Sequence, residues 1–175
     1  MNNLYLKTGF RFGIIASILT TLIGLALLFT GMADYSGSSS GWTSTLILAL
    51  GVYLAAEGFK KENQGFMSHK DLIKVSLWMG LFAGIFSAVF GFIHAKMDPT
   101  LFDLQKNRME VELENKRLDD AQIEQSMKMV NVMLEPVPMA IMIIITIFIS
   151  MVVIGAIMGF FLKKEKDVFD SLDNQ

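Results

Sequence analysis

From Phe12 to Ala33 the chain runs 22 residues without a charged side chain, and comparable uncharged stretches recur at 42–56, 75–95 and 137–162. A hydrocarbon core of about 30 Å is crossed by about 20 apolar residues at about 1.5 Å each, and backbone groups inside it must bond within their own helix. The sequence therefore predicts an all-α integral membrane protein with four transmembrane helices, at 12–33, 38–57, 75–95 and 137–162. The second is the shortest. It has only 15 membrane-like residues, Trp42 to Ala56, before Glu57, and draws on the uncharged Tyr35–Gly41 segment to lengthen it.

Composition points the same way. Hydrophobic residues make up 53% of the chain, and 14 Phe and 13 Met exceed what a soluble domain of 175 residues would bury, so lipid takes the surplus. A net charge of −2 argues against a general nucleic-acid binder, whose footprint is a basic face. Absence of cysteine excludes disulfides, thiolate catalysis and cysteine-ligated metals.

Lysine and arginine near the span ends set the orientation. Lys7, Arg11, Lys60, Lys61, Lys70, Lys74, Lys163, Lys164 and Lys166 put nine cations on one side. The six on the other side, Lys96, Lys106, Arg108, Lys116, Arg117 and Lys128, share the long third loop with nine acids. Both termini of this multi-pass protein are thus expected in the cytoplasm. A cleaved signal peptide is the competing reading of the first span, since Gly31-Met32-Ala33 resembles a cleavage site. The apolar run is longer than the 7–15 residues of a typical signal core, which favours retention.

The chain has the look of two tandem helical hairpins. Residues 7–24 align without gaps on residues 74–91, matching at five of 18 positions, and spans two and four end alike in Phe59-Lys-Lys-Glu62 and Leu162-Lys-Lys-Glu165. Hairpins of the same orientation would be related by an axis along the membrane normal. Chance matching among membrane-like segments with positive flanks explains the alignment equally well.

Small residues give the clearest packing signal. On span three Gly80, Gly84 and Ala88 recur every four residues, with Ser87 and Gly91 in a second row on the same face. Gly13 and Gly24 belong to a similar stripe on span one, and Gly155 and Gly159 form a short one on span four. Such stripes let two backbones approach where lipid removes the usual hydrophobic drive for association. Packing within one bundle and contact between copies in a homo-oligomer both fit.

Local signals mark the helix ends. Ser68 and Asp71 have capping-box spacing before span three. In the extramembrane insertion 96–136, Asp98 can cap a helix starting at Pro99, and Asp119 with Gln122 can cap a second, giving helices at about 99–117 and 120–134. Ile123, Met127, Val130 and Leu134 make one apolar stripe on the second, widened by Met129 and Met133. That stripe is the candidate partner-binding face. Packing of the hairpin on itself or on the outer leaflet are the other uses of an apolar face there. Pro136 and Pro138 break the chain before span four.

Catalysis finds little support, and the sequence predicts no catalytic, cofactor-binding or metal-binding residues. His69 and His94 are expected on opposite membrane faces and cannot share a metal; His94 and Asp98 are four residues apart and suited to an interfacial hydrogen bond. Ion and proton pathways need intramembrane ionisable groups or broken helices, and neither is apparent.

The order of features resembles a family, the small four-span membrane proteins of Bacteroidota classed as domain of unknown function 4199. The resemblance rests on Glu62-Asn63-Gln64-Gly65-Phe66-Met67-Ser68, the small-residue span Gly80 to Phe92 running into Asp98-Pro99, the loop segment Gln122 to Met127, and the closing Phe161-Leu162-Lys163-Lys164-Glu165. The chain departs from the family pattern at His69-Lys70, in place of an aromatic-glycine pair, and at Ser76, in place of a glycine. The resemblance implies an inner-membrane protein with no catalytic residues to carry over. It is loosely associated with a neighbouring polyprenyl-phosphate glycosyltransferase as a protein partner. The expected function is a non-enzymatic scaffold or accessory subunit in contact with membrane lipid; the alternative is a small transporter or lipid-binding protein.

Overall fold

The computed structural model describes residues 2–29, 38–97, 100–116 and 118–164. These form α1 (Asn2–Phe29), α2 (Ser38–Glu62), α3 (His69–Met97), α4 (Thr100–Asn115), α5 (Asp120–Met133) and α6 (Pro136–Leu162). Three of them, over Asn3–Leu27, His69–Ile93 and Pro136–Leu162, are long and apolar enough to cross a membrane. Helix α2 has comparable length but opens on Ser38-Ser39-Ser40 and closes on Glu57, Lys60, Lys61 and Glu62, which dilutes its apolar content. It is the segment that also read as weakest in the sequence.

Helix ends follow the local chemistry. The Asp71 backbone N–H donates to Ser68 Oγ at 3.2 Å and the Ser68 N–H donates to Asp71 Oδ2 at 2.9 Å, so two donors at the start of α3 are satisfied reciprocally. Asp119 and Gln122 do the same for α5, with the Gln122 N–H donating to Asp119 Oδ1 at 2.7 Å. Helix α2 ends with Gln64 in the left-handed region, φ 57°, and the Gly65 N–H donating to Lys60 O at 2.7 Å, the long bond of a Schellman motif. Pro136 occupies the first position of α6, where its missing N–H has no intrahelical partner to lose.

The chain divides into two compact units, Met1–Ser87 with Ile144–Gln175, and Ala88–Ile143. In the first unit Ala16, Val52, Phe59, Leu72, Val75, Met79, Ala83 and Met151 form the buried interior. Two of the three buried residues of α6 are glycines. Met151, Gly155 and Gly159 are buried, whereas Ile145, Ile149, Val153, Ile157 and Phe160 are exposed. An outward face of large apolar side chains is what a helix shows to lipid, and the inward glycines let a neighbouring helix approach closely. In the second unit α4 and α5 pack on each other.

Candidate functional site

Helix α3 is the element on which the other long helices of the first unit converge, and glycine backbones make the approach possible. A Cβ at Gly13 would lie 2.8 Å from Met79 O and 3.2 Å from Phe82 Cβ, so α1 crosses α3 with almost no gap. A Cβ at Gly80 would lie 3.0 Å from Met151 Cβ and 3.1 Å from Phe148 Cα; one at Gly84 would lie 3.1 Å from both Cα and O of Ile144. Two further glycines of α6 serve the same crossing, Gly155 against Ser76 and Gly159 against His69. As the α3 number rises the facing α6 number falls, so the two helices run antiparallel.

The other predicted small residues lie in different settings. Ser87 is half-buried and Ala88 is buried. A Cβ at Gly91, within the second unit, would lie 3.1 Å from Ile143 Cδ1. At Gly24 nothing among the described residues lies within 4 Å of an added Cβ. Two glycines of α2 outside the predicted stripes also face close neighbours, in both cases side chains: a Cβ at Gly51 would lie 2.9 Å from Met79 Cε, and one at Gly58 would lie 2.6 Å from Phe12 Cε2. Their spacing with Ala55, four and then three residues, is the small-residue signal that would have found them.

One end of the first unit collects the polar groups. The Tyr5 hydroxyl donates to Asp71 Oδ1 at 2.6 Å, its ring stacks on Phe59 at 5.3 Å between centroids, and Lys74 Nζ lies 5.1 Å over that ring. Lys7 pairs with Glu62 at 3.0 Å, tying the start of α1 to the end of α2. Met67 and Lys164 exchange two backbone hydrogen bonds of 2.8 Å, fastening the chain after α6 to the α2–α3 turn. The N-termini of α1 and α3 and the C-termini of α2 and α6 therefore meet, and Lys7, Lys60, Lys61, Lys74 and Lys164 lie at that common end. Lys166 lies outside the described residues.

His69 and Ser76 stand on the same face of α3, toward α6. The His69 ring lies 4.3 Å from that of Phe160, and its Nδ1 points at Gly159. Ser76 Oγ points at Gly155, and neither polar atom has a hydrogen-bond partner. Glycine on α6 is what makes room for both side chains.

On α5 the stripe Ile123, Met127, Val130 and Leu134 is half-buried throughout, while Met129, Val132 and Met133 are exposed. The stripe singled out as a partner face is thus the more covered side of its helix. The His94 side chain and Asp98 lie outside the described residues. Among the described residues no three His, Cys, Asp or Glu side chains are grouped as a metal site.

The family model described as a protein of unknown function, DUF4199, matches residues 7–164, which takes in α2 through α6 and nearly all of α1. The chain belongs to the DUF4199 family. No curated protein and no solved structure matches it. In this DUF4199 chain the first unit has a lysine-bearing bundle end and a closely packed interior, and the second unit holds a helical hairpin.

Proposed function

We propose that this protein is a four-span component of the bacterial inner membrane that works without catalysis, as a scaffold or accessory subunit of a membrane assembly. The observation that carries the reading is the way α3 is enclosed. Glycine backbones of α1, α2 and α6 and the apolar side chains Ala16, Val52, Met79, Ala83 and Met151 occupy the centre of the first unit. Packing at backbone contact suits a rigid frame; a transport path needs polar groups or broken helices at mid-depth. The fourth span in this reading is α2, whose Leu48, Val52, Ala55, Ala56 and Phe59 are buried in the same interior. The common end bearing Lys7, Lys60, Lys61, Lys74 and Lys164 is assigned to the cytoplasm, and the 96–136 segment to the outside.

Affinity purification of the tagged full chain in mild detergent tests the function. A protein partner recovered in stoichiometric amount supports the scaffold. Recovery of bound lipid or a small molecule, with no protein partner, would replace it with the transporter or lipid-binding reading.

A further inference from the structure

We infer that the exposed, charge-free sector of α5 is a lipid contact, lying in the headgroup and acyl boundary of the leaflet that α6 enters. The inference rests on the membrane reading proposed above and adds to it the surface by which the hairpin is held.

At about 100° per residue the side chains of α5 fall into three sectors. Ile123, Met127, Val130 and Leu134 share the half-covered one. Asp120, Glu124, Lys128 and Asn131 share a second, where Lys128 pairs with Glu124 at 2.8 Å and both side chains are exposed. The third holds Ala121, Gln122, Gln125, Met129, Val132 and Met133, all exposed and none charged. Its apolar members gather at the C-terminal end, with Met129 59%, Val132 57% and Met133 44% exposed.

The short tie to α6 fixes the height of that end. Only Leu134 and Glu135 separate α5 from α6, three Cα steps and so a reach of at most about 11 Å. The Leu134 N–H donates to Val130 O and the Met139 N–H to Glu135 O, so the elbow is closed by hydrogen bonds on both sides. Helix α6 has no charged residue from Pro136 to Leu162, and its early side chains Val137, Ile141 and Met142 are exposed. Its 27 residues measure about 40 Å against a hydrocarbon core of about 30 Å, so its first turns lie at headgroup depth. The apolar end of α5 is thereby held within one short link of the first turns of α6, where Val137, Ile141 and Met142 are exposed. A helix with one apolar and one charged face at this depth rests in the interface plane.

The chain has no cysteine, so single-cysteine variants take one environment-sensitive fluorophore each. The full chain carrying the label at Met133, Val132, Glu124 or, within α6, Ile149 is reconstituted in phosphatidylethanolamine and phosphatidylglycerol vesicles containing nitroxide-labelled lipid. Emission from Met133 and Val132 is expected to shift to the blue and to lose most of its intensity to a nitroxide high on the acyl chain. Emission from Glu124 is expected to keep both its wavelength and its intensity. Met133 as water-exposed as Glu124, with Ile149 quenched by a deep nitroxide, overturns the lipid contact alone. Blue-shifted emission at Met133 that lipid nitroxide does not quench marks a protein cover and also overturns it. An unquenched Ile149 overturns the membrane reading beneath it.

Discussion

The Tyr5 hydroxyl donates a 2.6 Å hydrogen bond to Asp71, and through it the start of α1 is joined to the cap of α3. Asp71 serves both helices: Oδ2 accepts from the Ser68 N–H while Oδ1 accepts from Tyr5. Tyr5→Phe keeps the ring that stacks on Phe59 and removes only the hydroxyl, so it isolates the bond between helices. A hydrogen bond to a charged acceptor contributes about 1.5–3 kcal/mol, and the partial exposure of Asp71 places this one toward the lower end. Asp71→Ala removes the cap as well and should cost roughly 1 kcal/mol more. Thermal unfolding of the two variants in the same detergent checks the order; equal melting temperatures for wild type and Tyr5→Phe would remove this bond from the account of stability.

Gly84 and Gly24 stand on small-residue stripes that look alike in the sequence and differ in what surrounds them. A Cβ at Gly84 meets the Ile144 backbone at 3.1 Å, and one at Gly24 meets nothing among the described residues within 4 Å. Gly84→Leu forces α3 and α6 apart and should cost at least the roughly 1–3 kcal/mol typical of overpacking. Gly24→Leu should leave the melting temperature unchanged or slightly raised, because leucine is the better helix former. If detergent-resistant stability falls equally in both, the distinction drawn between the two positions is wrong.

Gln64 holds φ 57° at the end of α2, a conformation that an L side chain adopts at a cost of about 1–2 kcal/mol and glycine adopts freely. Gln64→Gly should therefore raise stability by about 1 kcal/mol, and Gln64→Val should lower it. Melting curves of the three proteins give the sign directly. A loss on Gln64→Gly would mean that the side chain contributes more than its backbone strain removes.

What could be read from the sequence was local. Ser68 with Asp71 and Asp119 with Gln122 each mark a helix start by short-range chemistry, and each stands at a helix start in the structure. Pro136 and Pro138, read as a break before span four, lie instead in the first turn of α6, where a missing N–H costs no intrahelical bond. Contacts made across the chain left no such mark. Tyr5 and Asp71 are 66 residues apart and neither belongs to a motif that names the other. On α5 two apolar sectors compete, and only packing decides that Met127 and Val130 are half-covered while Met129 and Val132 face outward. Gly13 and Gly24 likewise share a pattern that says where a neighbour could approach, not whether one does.

The proposed sidedness has its own test, since the absence of cysteine leaves every introduced thiol unambiguous. Lys61 is exposed at the end where α1, α2, α3 and α6 come together, and Asn115 is exposed at the end of α4. Positive flanks stay in the cytoplasm, so the cation-rich end should face inward and the acid-rich 96–136 segment outward. In sealed cells a membrane-impermeant thiol reagent should label Asn115→Cys and leave Lys61→Cys unmodified. Permeabilisation should then make Lys61→Cys react as fully as Asn115→Cys, which shows that its thiol is accessible and was shielded only by the membrane. Equal labelling of both in sealed cells would place the two on one side, which an odd number of crossings between them cannot allow, and would require α3 or its assignment as a span to be abandoned.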